Sequence, residues 1–420
     1  MSSVLTLFFE PLDILHFREP RPWDAGSHVL SKSSFPTPGT LRGALRSALL
    51  ARLDADFGSP DPHYGIKQEW AKRLLGGRTD PGLISIRGPF LAVSPELHKS
   101  SLATKQKPLP LFPPPQDLVF LKTEDKDGRG GPKPKGSVAE VFVRQLQRRR
   151  LPTEDVAPIR YHFNSGRLQQ DAGTELPWAS QELDKKSLTG QYLFTEKGVS
   201  SYLANQGDDD LVLSVGRSLD KQGAALLRQS AVYQIESRIG IARDPASLTA
   251  KEGMFYLALS YRFARGAGLA IEVDVQPSEG SDADGTELAK ALADLHCAVI
   301  PLGGRGYRAR VHVSDGPLFD PKENSSPQRQ KVWLISPLLW PTNSQEKPDG
   351  IETLVSDRPQ VIGGFEQAQR CPKPLRFALS AGSVLYLKEG ASWPSVRESL
   401  CKSPWPEDSF LGYGTAFLSP

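Results

Sequence analysis

Between Gln229 and Phe263 the chain alternates twice about a single polar break, and few folds accept that pattern. Tyr233, Ile235, Ile239 and Ile241 alternate with Gln234, Glu236 and Arg238, the two-residue period of a strand. Arg243 to Gly253 is a polar loop containing Pro245, and from Met254 the alternation resumes through Phe255, Leu257, Leu259, Tyr261 and Phe263. Two such runs predict a long hairpin with a projecting tip.

The rest of the chain supplies further strands and helices. Val4 to Phe17 begins as an apolar strand and leads into Arg18-Glu19-Pro20-Arg21-Pro22-Trp23. Leu83–Val93, Leu118–Leu121, Gly266–Val275, Val332–Leu339, Arg376–Leu387 and Gly414–Leu418 read as strands, and Cys297–Leu302 as a buried one. Leu109–Pro115 is extended, and Lys122–Gly136, charged and rich in Gly and Pro, reads as a mobile loop. Helices are predicted within Phe35–Leu53, after a turn-rich entry, and over Ile66–Leu75, Val138–Leu151 and Thr286–His296. Strand–helix–strand units and hairpins thus occur twice. They predict an α+β chain of two ferredoxin-like domains with helical and loop insertions and a protruding hairpin. The expected division is an N-terminal domain over 1–245 and a C-terminal domain over 246–420.

The first helix is the clearest candidate site. Phe35-Pro36-Thr37-Pro38-Gly39-Thr40 is a turn-rich entry, and Leu41, Ala44, Leu45, Ala48, Leu49 and Leu53 form one apolar stripe. Thr37 or Thr40 caps the start, and Arg42 and Arg46 share a face outside the stripe. Such an end, with its unpaired N–H groups and positive dipole, suits a phosphate. Gly43, unusual inside a helix, lets another backbone or an RNA come close. The charge distribution agrees: residues 1–175 carry 25 Lys+Arg against 19 Asp+Glu, and the remainder 26 against 29. A basic half beside an acidic half fits a grip on a polyanion, and equally an unevenly charged solvated surface.

Pro301-Leu302-Gly303-Gly304-Arg305-Gly306-Tyr307-Arg308 is the other landmark. Consecutive glycines allow close backbone approach, and the strand that follows sets Arg308, Arg310 and His312 opposite Tyr307, Ala309, Val311 and Val313. A glycine loop backed by cations can hold a phosphate backbone; the same residues also fit a hairpin turn with a solvated outer face. No nucleotide-cofactor motif is present, and no cofactor is expected.

Other chemistry finds little support. The seven histidines show no metal-binding spacing, and Asp208-Asp209-Asp210 reads as an exposed loop rather than a magnesium cluster. His16 could act as a general base, but a structural role fits it better. Trp333, Trp340, Phe365 and Phe377 could stack bases only if they face solvent. Arg148-Arg149-Arg150 reads as a solvated helix end. Cys297, Cys371 and Cys401 are distant from one another, and the opening Met1-Ser2-Ser3-Val4 lacks a charged export signal. A cytoplasmic protein without a membrane partner is expected.

Taken together, these landmarks resemble the RAMP superfamily of CRISPR proteins, most closely the third RAMP subunits of type III-B Cmr effector complexes. The carrying residues are Pro11-Leu12-Asp13 with Arg18 and Arg21-Pro22, the Phe35–Arg46 helix start, Glu236-Ser237-Arg238-Ile239-Gly240-Ile241, and Leu302-Gly303-Gly304-Arg305-Gly306. Ala381-Gly382-Ser383-Val384 and Gly412-Tyr413-Gly414 are weaker echoes. The family's glycine loop often has an acidic residue where this chain has Arg305. The resemblance implies a non-catalytic subunit that binds the crRNA 5′ handle beside the large polymerase-like subunit and an adjacent backbone RAMP. The RNA-binding residues expected are Arg18, Arg21, Lys32, Thr40, Arg42, Arg46, Arg238, Ile239, Arg243, Gly303, Gly304, Arg305, Gly306 and Arg308. The Arg238–Tyr256 hairpin would serve as a thumb between handle and guide. Two other readings stay open: a metal-independent RNA-processing endonuclease using His16 or His162, and a structural adaptor that touches no RNA.

Overall fold

The computed structural model describes residues 3–19, 35–53, 69–76, 82–99, 106–121, 139–145, 147–150, 162–163, 166–167, 175–178, 183–205, 211–216, 219, 223–276, 282–319, 331–340, 349–366, 371–401 and 412–419. It is an α+β chain made mostly of strands. Two compact units emerge, one from Met1–Pro108, Val232–Leu318 and Val361–Arg376, the other from Leu109–Ala231, Phe319–Gln360 and Phe377–Pro420.

In the first unit the elements are β1 (Ser3–Pro11), α1 (Pro38–Arg52), α2 (Glu69–Leu75), β2 (Ile84–Val93), α3 (Pro95–Lys99), β3 (Tyr233–Arg243), β4 (Ala250–Phe263), β5 (Ala267–Val275), α4 (Asp282–Ala293), β6 (Val299–Pro301) and β7 (Arg308–Asp315). One sheet places them in the order β6-β7-β1-β5-β2, antiparallel at each step. Counting only β1, β2, β5 and β7, this is fourth, first, third, second, with α1 following the first strand and α4 the third. β1 sits centrally because both its faces can be buried: Leu7 pairs with Ile271 and Val313, and Leu5, Thr6, Leu7, Phe8 and Phe9 are all buried. Helix α1 starts at Pro38, whose fixed φ suits a first helical position. Its Leu41, Leu45 and Leu49 are buried, and it packs against β2, α4 and β6.

β3 and β4 form the expected hairpin apart from that sheet, with Ile239 opposite Leu257 and Gly240 opposite Tyr256. The second strand begins at Ala250, earlier than the polar composition suggests. At the tip, the Asp244 carboxylate accepts from the Ala246 and Ser247 N–H groups, closing the turn.

In the second unit one sheet runs Leu183–Ser187, Leu118–Leu121, Ala139–Gln145, Leu211–Gly216, Leu226–Arg228, Tyr192–Phe194. Another runs Ile351–Val355, Val384–Leu387, Lys331–Leu334, Ala416–Ser419, again fourth, first, third, second when read from its far edge. Helix Trp393–Cys401 follows its third strand, and Trp393, Val396 and Leu400 join Val332, Leu334, Leu385 and Leu387 in one core. Nearby, the buried Asp117 carboxylate accepts from the Tyr202 hydroxyl at 2.8 and 2.9 Å and from the Tyr386 hydroxyl at 3.0 Å.

Several expectations are corrected. The contacts do not divide the chain at 245/246, which falls in the hairpin tip. β5 and β7 close the first sheet, so the first unit runs on to Leu318. Within the helix expected over Val138–Leu151, the described residues instead form strands Ala139–Gln145 and Gln147–Arg150. Val141 and Val143 alternate there, and pairing to Leu213 and Leu211 outweighs local helix preference. Arg148-Arg149-Arg150 therefore lies in a strand, opposite Leu176 and its neighbours. Of the buried strand expected over Cys297–Leu302 only Val299–Pro301 is a strand, and it lies at the sheet edge: Ile300 is buried, but Val299 is 43% exposed. Trp333 and Trp340 are core residues, Phe377 is half-buried, and Phe365 is 53% exposed. Lys122–Gly136 and Asp208-Asp209-Asp210 lie outside the described residues.

Tyr202→Phe removes the phenol O–H that both oxygens of the buried Asp117 carboxylate face. We expect a stability loss of about 1–3 kcal/mol in urea unfolding; an unchanged midpoint would show that the phenol is not the donor that matters.

Candidate functional site

The glycine loop is built on His16. Gly303, at φ 81°, leaves room only for hydrogen: a Cβ there would lie 2.7 Å from the His16 carbonyl oxygen. The Gly304 N–H donates to that same oxygen at 2.8 Å. The His16 ring is buried, and its Nδ1 lies 3.0 Å from the Leu259 carbonyl on β4. A carbonyl only accepts, so this nitrogen carries the proton. Burial lowers the His16 pKa; the Leu259 bond opposes that shift, and the charges of Arg305 and Arg18 add to it. The ring is thus a neutral tie between β4 and the loop. Arg305 stands in the left-handed region at φ 62°, between Gly304 and Gly306, and its guanidinium lies 5.1 Å from the centroid of the Tyr256 ring.

At the hairpin root four charges neutralise one another. Glu236 accepts from Arg238 Nε at 2.8 Å and from Arg262 Nε, while Arg262 Nη2 reaches Asp13 at 3.3 Å. Arg238 Nη2 lies 3.9 Å from Asp13. The Arg262 bond, then the Arg238 bond, holds the Glu236 carboxyl down to about 2.

The expected residues separate into groups. Arg18, Gly303, Gly304 and Arg305 gather about His16, and Gly306 follows in the same loop. Arg308 is exposed where β7 begins, and its carbonyl accepts from the Leu12 N–H at 3.1 Å. Ile239 is 78% exposed on the hairpin, and Arg243 Nε donates to the Leu248 carbonyl at 2.9 Å, closing the tip. At α1 the N-cap is Thr37; its hydroxyl meets that of Thr40 at 3.1 Å. Arg42 is half-buried, and Arg46 Nη2 donates to the Gly76 carbonyl at 2.6 Å, bracing the end of α2. Gly43 is exposed, and among the described residues nothing lies within 4 Å of where its Cβ would be. Arg21 and Lys32 lie outside the described residues.

The cation row on β7 is not the free outer face that alternation suggests. His312 is buried, its Nε2 lies 3.0 Å from Glu10, and Arg310 Nη1 lies 3.6 Å from the same oxygen. Sequence reasoning missed this pairing, the Glu236 cluster and Tyr256. A glycine at position 240 within an alternating strand was the available signal for the last. Among the described residues no group of three His, Cys, Asp or Glu side chains could hold a metal ion, and no helix is long and apolar enough to cross a membrane.

A family model described as CRISPR-associated protein (Cas_Cmr3) matches residues 7–420. No curated protein matches the chain. Among solved structures, a chain of the cryo-EM structure of the Type III-B Cmr-beta bound to cognate target RNA is similar. It is 15% identical over 91% of this chain and 86% of that one, at a TM-score of 0.42. A chain of the crystal structure of oligomeric Cmr4 from Pyrococcus furiosus is 10% identical over 76% of this chain and 100% of that one, at 0.24.

The Glu236 pKa is depressed, so the ion cluster at the hairpin root holds above the ordinary carboxylate range and is lost only as pH falls through about 2. A carboxyl-carbon NMR titration should find that midpoint, and Arg262→Gln should raise it toward the usual 4.5. A wild-type midpoint already at the usual value would remove the cluster.

Proposed function

The chain belongs to the Cas_Cmr3 family of CRISPR-associated proteins, and from that premise we propose that it is the non-catalytic crRNA-binding subunit of a type III-B Cmr effector complex. It recognises the repeat-derived 5′ handle in the cytoplasm and anchors the large polymerase-like subunit to the adjacent backbone RAMP. The observation that carries this reading is the glycine loop seated on His16, with Arg18 and Arg305 close enough to depress that ring's pKa and Arg308 exposed beside it. Cations gathered about a close-approaching backbone suit phosphates of single-stranded RNA. α1 packs against β6, the strand that leads into the loop, which supports its half-buried Arg42 as the other wall of the cradle. Arg46 helps by holding α2 in place.

The finer architecture belongs to the same proposal. The strand order fourth, first, third, second in both units supports two ferredoxin-like domains, with the β3–β4 hairpin inserted between the second and third strands of the first. The hairpin acts as the thumb. Its outward Ile235, Ile239, Ile241 and Phe255, each at least 51% exposed, are apolar surface for displacing a nucleotide or meeting the neighbouring RAMP.

Arg42→Ala with Arg308→Ala should weaken binding of the full chain to crRNA and flatten the dependence of log K on log salt by about 1.4, two contacts at roughly 0.7 each. A scrambled handle should bind more weakly than the native one. Equal affinity and slope for the double variant would displace the cradle, equal binding of both RNAs would remove handle recognition, and binding of neither would leave only a structural adaptor. Precursor crRNA incubated with the purified chain in EDTA should stay intact; handle-specific cleavage that disappears in His16→Ala would make the chain a nuclease instead.

A further inference from the structure

Gly240 and Tyr256 face each other across β3 and β4. A Cβ on Gly240 would lie 2.1 Å from Tyr256 Cζ and 2.4 Å from both its Cε2 and its hydroxyl, so the ring is folded down over the bare glycine backbone. An aromatic ring that covers a strand glycine is a known way to protect the ladder. That account does not reach Arg305, which takes a left-handed backbone conformation and sets its guanidinium over the same ring.

A guanidinium and a nucleobase are both flat and polarisable, and both stack on aromatic faces. Arg305 therefore occupies the position a base would take. Its following residue lets it leave: Gly306 takes a positive φ of 73°, and among the described residues nothing lies within 4 Å of a Cβ placed on it. Other cations are at hand: Arg18 acts on His16 beneath the loop, and Arg308 is exposed where the loop ends. Cations on and beside the loop thus accompany one aromatic platform, the combination that binds single-stranded nucleic acid.

We propose that Tyr256 is a stacking platform for one unpaired base of the bound RNA, and that Arg305 is its exchangeable cover. On binding, the base displaces the guanidinium from the ring, and Arg305 turns to the adjacent phosphate. The proposal rests on the RNA-binding reading above and adds to it a single base position read at the hairpin root.

The test uses the full chain and single-stranded RNA bearing the 5′ handle, with 2-aminopurine placed at each handle position in turn. Binding should quench the fluorescence at one position through stacking. Tyr256→Phe should keep that quench and the affinity. Tyr256→Leu should abolish the quench and weaken Kd roughly fivefold to 150-fold, with the salt slope unchanged because phosphate contacts remain. Quench and Kd unaltered in Tyr256→Leu would overturn the platform. So would wild-type binding without a quench at any position, a result that leaves the RNA-binding reading intact and needs no variant to fold. Failure of the wild type to bind the RNA at all would overturn both.

Discussion

His16 is bound from two directions at once, and the working surface of the first unit depends on it. Its carbonyl fixes the height of the glycine loop through Gly304, and its ring fixes the loop to β4 through Leu259. The ring must stay neutral in its burial, and burial together with two nearby arginines keeps it so. With that node in place, Arg305 reaches Tyr256 and Leu12 can pair with Arg308; without it, the loop and the hairpin root have no common reference.

Cations around this node are fewer than a count of arginines suggests. Arg238 and Arg262 meet Glu236 and Asp13, Arg310 meets Glu10, and Arg46 meets a carbonyl. A surface ion pair of this kind contributes little to stability, but it removes charge from the field an approaching polyanion feels. The potential at the site is therefore set by which arginines lack a carboxylate opposite them, a property of register rather than composition.

This explains how much the sequence revealed. Period-two alternation was enough to place β3 and β4, because a hairpin's own pairing enforces it. The stripe in α1 was legible for the same local reason. The direction each face takes was not. Ile239 and Ile241 are exposed while the small Ala258 and Ser260 of the opposite face are buried, the reverse of what hydropathy alone would assign. Val138–Leu151 misled because its strand partner lies at Leu211–Val215, outside any local window. His312 misled because Glu10, about 300 residues earlier, meets it only once β1 and β7 pair.

That last pairing also has a history in time. β1 is made before both its sheet neighbours, β5 and β7, and residues 109–231, which intervene, belong to the other unit. At synthesis rates of about 5–20 residues per second, an apolar central strand waits on the order of ten to fifty seconds for its first native neighbour. During that interval Leu5, Leu7, Phe8 and Phe9 form a ribbon with both edges open. The interleaved order of the units thus makes the nascent chain dependent on whatever shields that ribbon at the ribosome.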